Sequence, residues 1–169
     1  MKKVMVICAH PDDEIFGPGA TMAKYAKEGK KIYFVVLSFG ETTHPWYKRS
    51  AVAKMRALEG KKAAKYIGAT KSTFIGLKEG KFEEEFSKNP QIGKYLKTMI
   101  QKIKPDIIFT HSPDDPHPDH KATYNIMMKL TRATTIDVYG FSVWNPYTIK
   151  TSDFPHMIVD VTDTFHKKI

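Results

Sequence analysis

The chain alternates short apolar runs with longer stretches in which apolar residues recur every three or four positions. Lys3 to Cys8 is a continuous apolar run, the pattern of a strand buried on both faces of a parallel sheet. Gly17-Pro18-Gly19 breaks the chain, and Ala20 to Glu28 has helical spacing, with Met22, Ala23 and Ala26 on one face and Gly29 closing it. Ile32 to Leu37 reads as a second strand, followed by the loop Ser38 to Thr43. A long helix is expected from about Tyr47 to Ile67, its stripe made by Ala53, Leu58, Ala63, Ala64 and Ile67, with Gly68 as its stop. Ser72 to Leu77 is a third, short strand.

Between Lys78 and Asn89 the pattern weakens, and Glu83-Glu84-Glu85, flanked by Phe82 and Phe86, suggests a solvated loop or helical turn. Pro90 to Ile103 restores helical spacing through Ile92, Tyr95, Leu96, Met99, Ile100 and Ile103, and Lys104-Pro105 stops it. Asp106 to Thr110 is a fourth strand, Asp119 to Arg132 a helix, Ile136 to Trp144 a fifth strand ending in the turn Asn145-Pro146-Tyr147, and Met157 to Val161 a sixth. Asp163 is expected to cap a final helix that runs to Ile169. Strands alternating with helices predict an α/β fold, a Rossmann-like three-layer α/β/α sandwich with a mostly parallel sheet. Such sheets bind ligands beyond the carboxyl ends of the strands, where the strand order reverses. With the order 3-2-1-4-5, the first and fourth strands flank that crevice.

Composition narrows the class. A chain of 169 residues fits one domain, residues 1–169, able to bury about two-thirds of its extended surface. No run approaches the roughly 20 apolar residues of a membrane span, and Met1-Lys2-Lys3 leads into too short an apolar stretch for a signal peptide, so a cytoplasmic protein is expected. Cys8, the one cysteine, ends an apolar strand and is expected to be a small buried hydrophobe. The formal charge of +9 comes mostly from lysines scattered beside glutamates, with arginine only at Arg49, Arg56 and Arg132. That pattern describes a solvated surface rather than an arginine-based grip on nucleic acid.

Two clusters carry the chemistry. Ala9-His10-Pro11-Asp12-Asp13-Glu14 follows the first strand, and Asp114-Asp115-Pro116-His117-Pro118-Asp119-His120 follows the fourth. His10 and Asp13, three apart in a tight loop, and His120, at a helix start, make an imidazole and carboxylate set with an open coordination position, as a catalytic zinc requires. Such a site lowers the pKa of water far below its bulk value. Asp12 is then the candidate general base and His117 the group that stabilises a developing oxyanion or protonates a leaving nitrogen. Asp119 is expected to orient His117, and Glu14 to orient His10. His44, His111, His156 and His166 are left outside the site.

With these residues in place, the chain resembles the LmbE-like, or PIG-L, family of zinc-dependent N-acetyl-sugar deacetylases. The resemblance rests on the intact Ala9 to Glu14 signature after an apolar strand, on His117-Pro118-Asp119-His120 after the fourth, and on Gly40-Glu41 and Arg56-Ala57-Leu58-Glu59 before Ala63-Ala64 and Gly68. It implies one zinc ion (Zn2+) per chain held by His10, Asp13 and His120, with Asp12 as base, His117 at the transition state and Arg56 near the substrate. An ion pair between Arg56 and Glu59 is the alternative role for that arginine. The implied reaction removes the acetyl group from a small N-acetylglucosamine conjugate, without nucleic acid or membrane partners and with a homo-oligomer as an option. A metal-dependent amidase acting on a sugar-thiol conjugate and a catalytically idle carbohydrate-binding protein are the competing readings. Relative to the family, Ser38-Phe39 replaces an acidic or amide residue before Gly40, and the end after Val161-Thr162 predicts that part of the family's C-terminal segment is lacking.

Overall fold

The computed structural model describes residues 1–143 and 157–169. The expected turn at Asn145 to Tyr147, the end of the fifth strand at Trp144, and His156 lie outside the described residues. In chain order the strands are β1 (Lys3–Cys8), β2 (Lys31–Val36), β3 (Lys71–Phe74), β4 (Ile107–His111) and β5 (Asp137–Phe141). The α-helices among the described residues are α1 (Asp13–Phe16), α2 (Gly19–Lys27), α3 (Arg49–Tyr66), α4 (Phe82–Lys88), α5 (Pro90–Ile103) and α6 (Pro118–Thr131). The strands form one sheet in the order β3-β2-β1-β4-β5, the order expected from the sequence, and all four pairings are parallel.

Period-two alternation assigns the two faces. Met5 and Ile7 of β1 join Val35, Leu37 and Ile108 in one core cluster with Phe82 of α4, Leu96 and Ile100 of α5, and Ile126 and Met127 of α6. Val4 and Val6 point the other way, joining Ile32, Phe34 and Phe109 in a second cluster with Met22 and Ala23 of α2 and Ala64 of α3. β1 is therefore buried on both faces, which explains its unbroken apolar run. Helices flank both sides, as the expected sandwich requires.

Several local expectations change. The weak segment before Asn89 contains the helix α4, and its Phe82 is buried in the first core cluster. One anchored aromatic is enough to dock a short helix that is otherwise acidic and solvated: Glu84 pairs with Lys81 and Lys88 on its surface. β3 ends at Phe74 rather than Leu77, because the chain then turns through Gly76 at φ 86° and Leu77 donates its N–H to Leu37. Met157 to Val161 is not a strand; Met157 and Val159 instead pack against the α2 face of the core. The chain end makes only a 3-10 turn, Phe165–Lys167, whose cap is Thr164 rather than Asp163. The buried Thr164 hydroxyl donates to Ala20 O, so tertiary anchoring sets where that turn begins.

Candidate metal centre

β1 and β4 lie side by side, with Val4, Met5 and Val6 opposite Ile107, Ile108 and Phe109. Their C-terminal loops therefore emerge together at the point where the strand order reverses. The first loop is held tightly. Asp12 has φ 127°, a conformation that L-residues rarely adopt, and its N–H donates to the buried Glu14 carboxylate at 3.0 Å. The second loop is organised by the start of α6, where His117 is the N-cap and its Nδ1 accepts from Asp119 N at 3.2 Å.

Between the loops, His10 Nδ1 lies 3.3 Å from His120 Nε2, Asp13 Oδ2 lies 3.4 Å from His10 Nδ1, and Asp13 Oδ1 lies 3.4 Å from His120 Nε2. Ligands placed about 2.0–2.2 Å from a tetrahedral ion are about 3.3–3.6 Å from one another. Each pair of these residues thus stands near the separation that a small divalent ion needs, with Asp13 facing His10 through Oδ2 and His120 through Oδ1. Among the described residues His120 belongs to two groups of three donors that could hold an ion, one with His10 and His117 and one with Asp13 and His111.

Carboxylates aim both imidazoles. Asp119 Oδ2 accepts from His10 Nε2 at 3.1 Å, so that once the ring gives up its second proton the remaining one sits on Nε2 and an Nδ1 lone pair faces Asp13 and His120. On the other side His120 Nδ1 lies 2.9 Å from Asp115 Oδ1, a charge contact too poorly directed to count as a hydrogen bond. Asp115 is buried and also accepts from His117 N at 3.0 Å and Val143 N at 3.2 Å, tying the second loop to the end of β5.

One expected support is corrected, and another has a partner that was not expected. The Asp119 carboxylate hydrogen-bonds to His10, because from the first turn of α6 it reaches across the crevice, where Gly80 N also donates to it at 2.9 Å. Glu14 does not touch His10; its carboxylate faces the Asp12 amide and lies 3.7 Å from Cys8 Sγ, closing the first loop from beneath. Cys8 is buried, as its place in β1 suggested.

Asp12 stands at the rim. Arg56 of α3 donates from Nη2 to Asp12 Oδ2 at 2.7 Å and to Pro11 O, while its Nη1 lies 3.7 Å from Glu59. The contact to Glu59 weighed for Arg56 is thus present, and the contact to Asp12 is the closer. Gly40, at φ 65°, makes room for this: an added Cβ would stand 3.1 Å from the Pro11 ring and 3.2 Å from Arg56 Nε.

The electrostatics follow from burial and these pairings. Burial opposes charge on His10, but the hydrogen bonds to Asp119 and Asp13 overcome it and raise its pKa to about 10. Burial would raise Asp13, yet hydrogen bonds from His10, His111 and His120 hold it well below the usual carboxylate range. Burial raises Asp12, with Arg56 pulling the other way. Glu14 is pushed up to about 7 by burial. His117 is lowered, by burial and then by the neighbouring His120 and His10.

His111, left outside by the sequence reading, is inside the cluster. Fully buried at the end of β4, its Nε2 lies 3.3 Å from Asp13 Oδ2 and 3.0 Å from Ala9 N, and its ring stacks on His120 at 3.8 Å. The signal available was its place as the last residue of a strand that faces the crevice. His44 and His166 belong to neither donor group among the described residues.

A family model described as PIG-L: GlcNAc-PI de-N-acetylase matches residues 5–131. The 1D-myo-inositol 2-acetamido-2-deoxy-alpha-D-glucopyranoside deacetylase of Streptomyces griseus is 26% identical over 95% of this chain, which spans 54% of that protein. Among solved structures, N,N'-diacetylchitobiose deacetylase from Pyrococcus horikoshii superposes with TM-score 0.80 at 24% identity, covering 99% of this chain and 67% of the other. The 4-carboxy-2-hydroxymuconate hydratase of Pseudomonas putida KT2440 does so with TM-score 0.83 at 22% identity, covering 99% and 76%. At these identities the structural likeness speaks for the fold alone.

Proposed function

This chain belongs to the PIG-L, GlcNAc-PI de-N-acetylase, family, and from that premise we propose that it is a zinc-dependent hydrolase that removes the acetyl group from a small N-acetylglucosamine conjugate. The observation that carries the proposal is the convergence of His10, Asp13 and His120, with the two ring nitrogens 3.3 Å apart and one Asp13 oxygen 3.4 Å from each, beside the Arg56-held carboxylate of Asp12. Mixed imidazole and carboxylate donors suit zinc. When bound there, the ion would supply Lewis acidity and lower the pKa of water toward neutrality.

The chain's own residues divide the remaining work. Asp12 accepts the proton of the attacking water, and Arg56 fixes the orientation of its carboxylate. Asp119 holds His10 in the tautomer that presents Nδ1 to the ion. His117 gives its Nδ1 to the Asp119 amide, so its neutral ring carries the proton on Nε2, and the lowered pKa keeps that ring neutral. An Nε2–H donor can stabilise the oxyanion that develops on the acetyl group, and the leaving nitrogen takes the proton that Asp12 removed from the water. The hydratase likeness brings no competing chemistry, because a shared fold does not carry a reaction.

Acetate release from N-acetylglucosamine, its inositol conjugate and diacetylchitobiose tests this, before and after chelation and return of zinc. Turnover is expected to need the metal and to fall about 10²- to 10⁴-fold in Asp12→Ala while that variant still holds zinc. A chain that binds no divalent metal, or an Asp12→Ala variant as active as the parent, would sink the proposal.

A further inference from the structure

The buried histidine at the end of β4 is the one imidazole of the cluster to which the reaction above gives no task. Its Nε2 faces two groups at once, Ala9 N, whose N–H is aimed at it at 3.0 Å, and Asp13 Oδ2, a charge contact at 3.3 Å that is less well directed, and its Nδ1 is buried with no hydrogen-bond partner. One ring nitrogen cannot serve both contacts. As the Nδ1–H tautomer the ring accepts from Ala9, strands a buried donor on Nδ1, and turns a lone pair toward a carboxylate. As the Nε2–H tautomer it donates to that carboxylate, gives up the Ala9 contact, and leaves on Nδ1 only a lone pair.

Each tautomer leaves one N–H unsatisfied, so the carboxylate decides between them. A hydrogen bond to an ionised acceptor is roughly twice as strong as one between neutral groups, whereas a lone pair facing the same anion repels it. Asp13 must be ionised to act as a ligand. We infer that His111 is a positioning residue of the metal centre: its Nε2–H holds Asp13 Oδ2, which also accepts from His10 N at 2.8 Å, and so commits Asp13 Oδ1 to the side of His120 Nε2. The ring has a second contact with the site, the face-to-face stack on His120 at 3.8 Å and 11°. The inference rests on the metal-dependent reading of the site.

Donor and stack can be separated by two substitutions. His111→Phe keeps a flat ring against His120 and removes the donor; His111→Gln keeps a donor and removes the ring. Zinc affinity is measured by competition with a chromophoric chelator, with thermal unfolding of the metal-free chains as the control for folding. Loss of a hydrogen-bond partner behind a ligand typically weakens metal binding about 10- to 100-fold, and that loss is expected for His111→Phe, with His111→Gln lying closer to the parent. A phenylalanine variant that binds zinc like the parent overturns the inference, as does a glutamine variant that falls as far as phenylalanine.

A second measurement needs no substitution. Nitrogen-15 spectra of the zinc-loaded parent report the His111 tautomer, with Nε2–H expected and Nδ1–H overturning the inference even if a variant fails to fold. A parent chain that binds no zinc overturns this inference together with the deacetylase reading. Zinc binding by the parent with no loss in His111→Phe overturns this inference alone.

Discussion

The two loops that build the site solve the same problem in different ways. The loop after β1 is short and strained: Asp12 sits at φ 127°, Glu14 is buried beneath it, and its proposed ligand His10 is aimed by Asp119, which lies 109 positions away on α6. The loop after β4 leans on regular structure. His117 caps α6, Asp115 gathers the His117 amide and the Val143 amide, and the proposed ligand His120 has its carboxylate contact, to Asp115, within its own loop. The first half therefore depends on the tertiary fold for the direction of its imidazole, and the second largely on itself. A centre assembled this way ties metal affinity to the docking of β1 against β4.

Removing a ligand from either half should show that both are needed. In His10→Ala and in His120→Ala, metal binding is expected to weaken by more than the roughly 100-fold that an outer partner controls, as read by equilibrium dialysis with metal analysis. Retention of stoichiometric zinc in either variant would remove that residue from the ligand set.

Next come the two aiming carboxylates, which test the asymmetry itself. Asp119→Asn is expected to weaken metal binding about 10- to 100-fold and to speed amide exchange at Gly80, because the same carboxylate receives the Gly80 amide. Asp115→Asn should cost less metal affinity, since its contact to His120 is poorly directed, and should instead loosen the Val143 amide. Equal losses of affinity would erase the distinction between the loops.

Proton competition sharpens it further. The pKa of His10 is raised to about 10 in the metal-free chain, so near neutral pH a proton must leave before Nδ1 can ligate. Zinc affinity is therefore expected to rise about tenfold per pH unit through the neutral range from this group alone. The sign follows from the raised value: the protonated form is the stable one below about 10, and metal binding expels it. In Asp119→Asn the slope should flatten, because an amide oxygen can still accept from Nε2 but no longer supplies the charge that holds the ring's second proton. Calorimetry in buffers of different ionisation enthalpy counts the protons released.

The smallest expected effect belongs to Arg56. It lowers the pKa of Asp12 against the rise that burial causes. Arg56→Gln should thus move the acid limb of the kcat/KM profile to higher pH, while zinc affinity, read by chelator competition, changes little. An unshifted limb would detach Arg56 from the base.

How much of this was legible in the chain can be judged residue by residue. β1 was readable to its ends, because burial on both faces leaves a continuous apolar signature and Asp, His and Pro follow at once. α5 was readable for a related reason: Asn89 caps it, Pro90 opens it, and one amphipathic face packs on the sheet. α4 was not, since its only deeply buried residue is Phe82. Met157 to Val161 has the apolar content of a strand, but strand formation needs a neighbouring edge, and content alone does not supply one.

The sequence by itself determined the five strands of the sheet, their alternation with helices and the placing of both reactive clusters directly after strands, because these follow from local periodicity and from side-chain chemistry. Only the tertiary structure decided which carboxylate aims which imidazole, that Glu14 closes a loop instead of supporting His10, and that His111 faces Asp13. Those choices depend on hydrogen-bond directions between groups brought together by the pairing of β1 with β4. A hydrogen bond is fixed by tenths of an ångström and tens of degrees, and spacing along the chain holds neither.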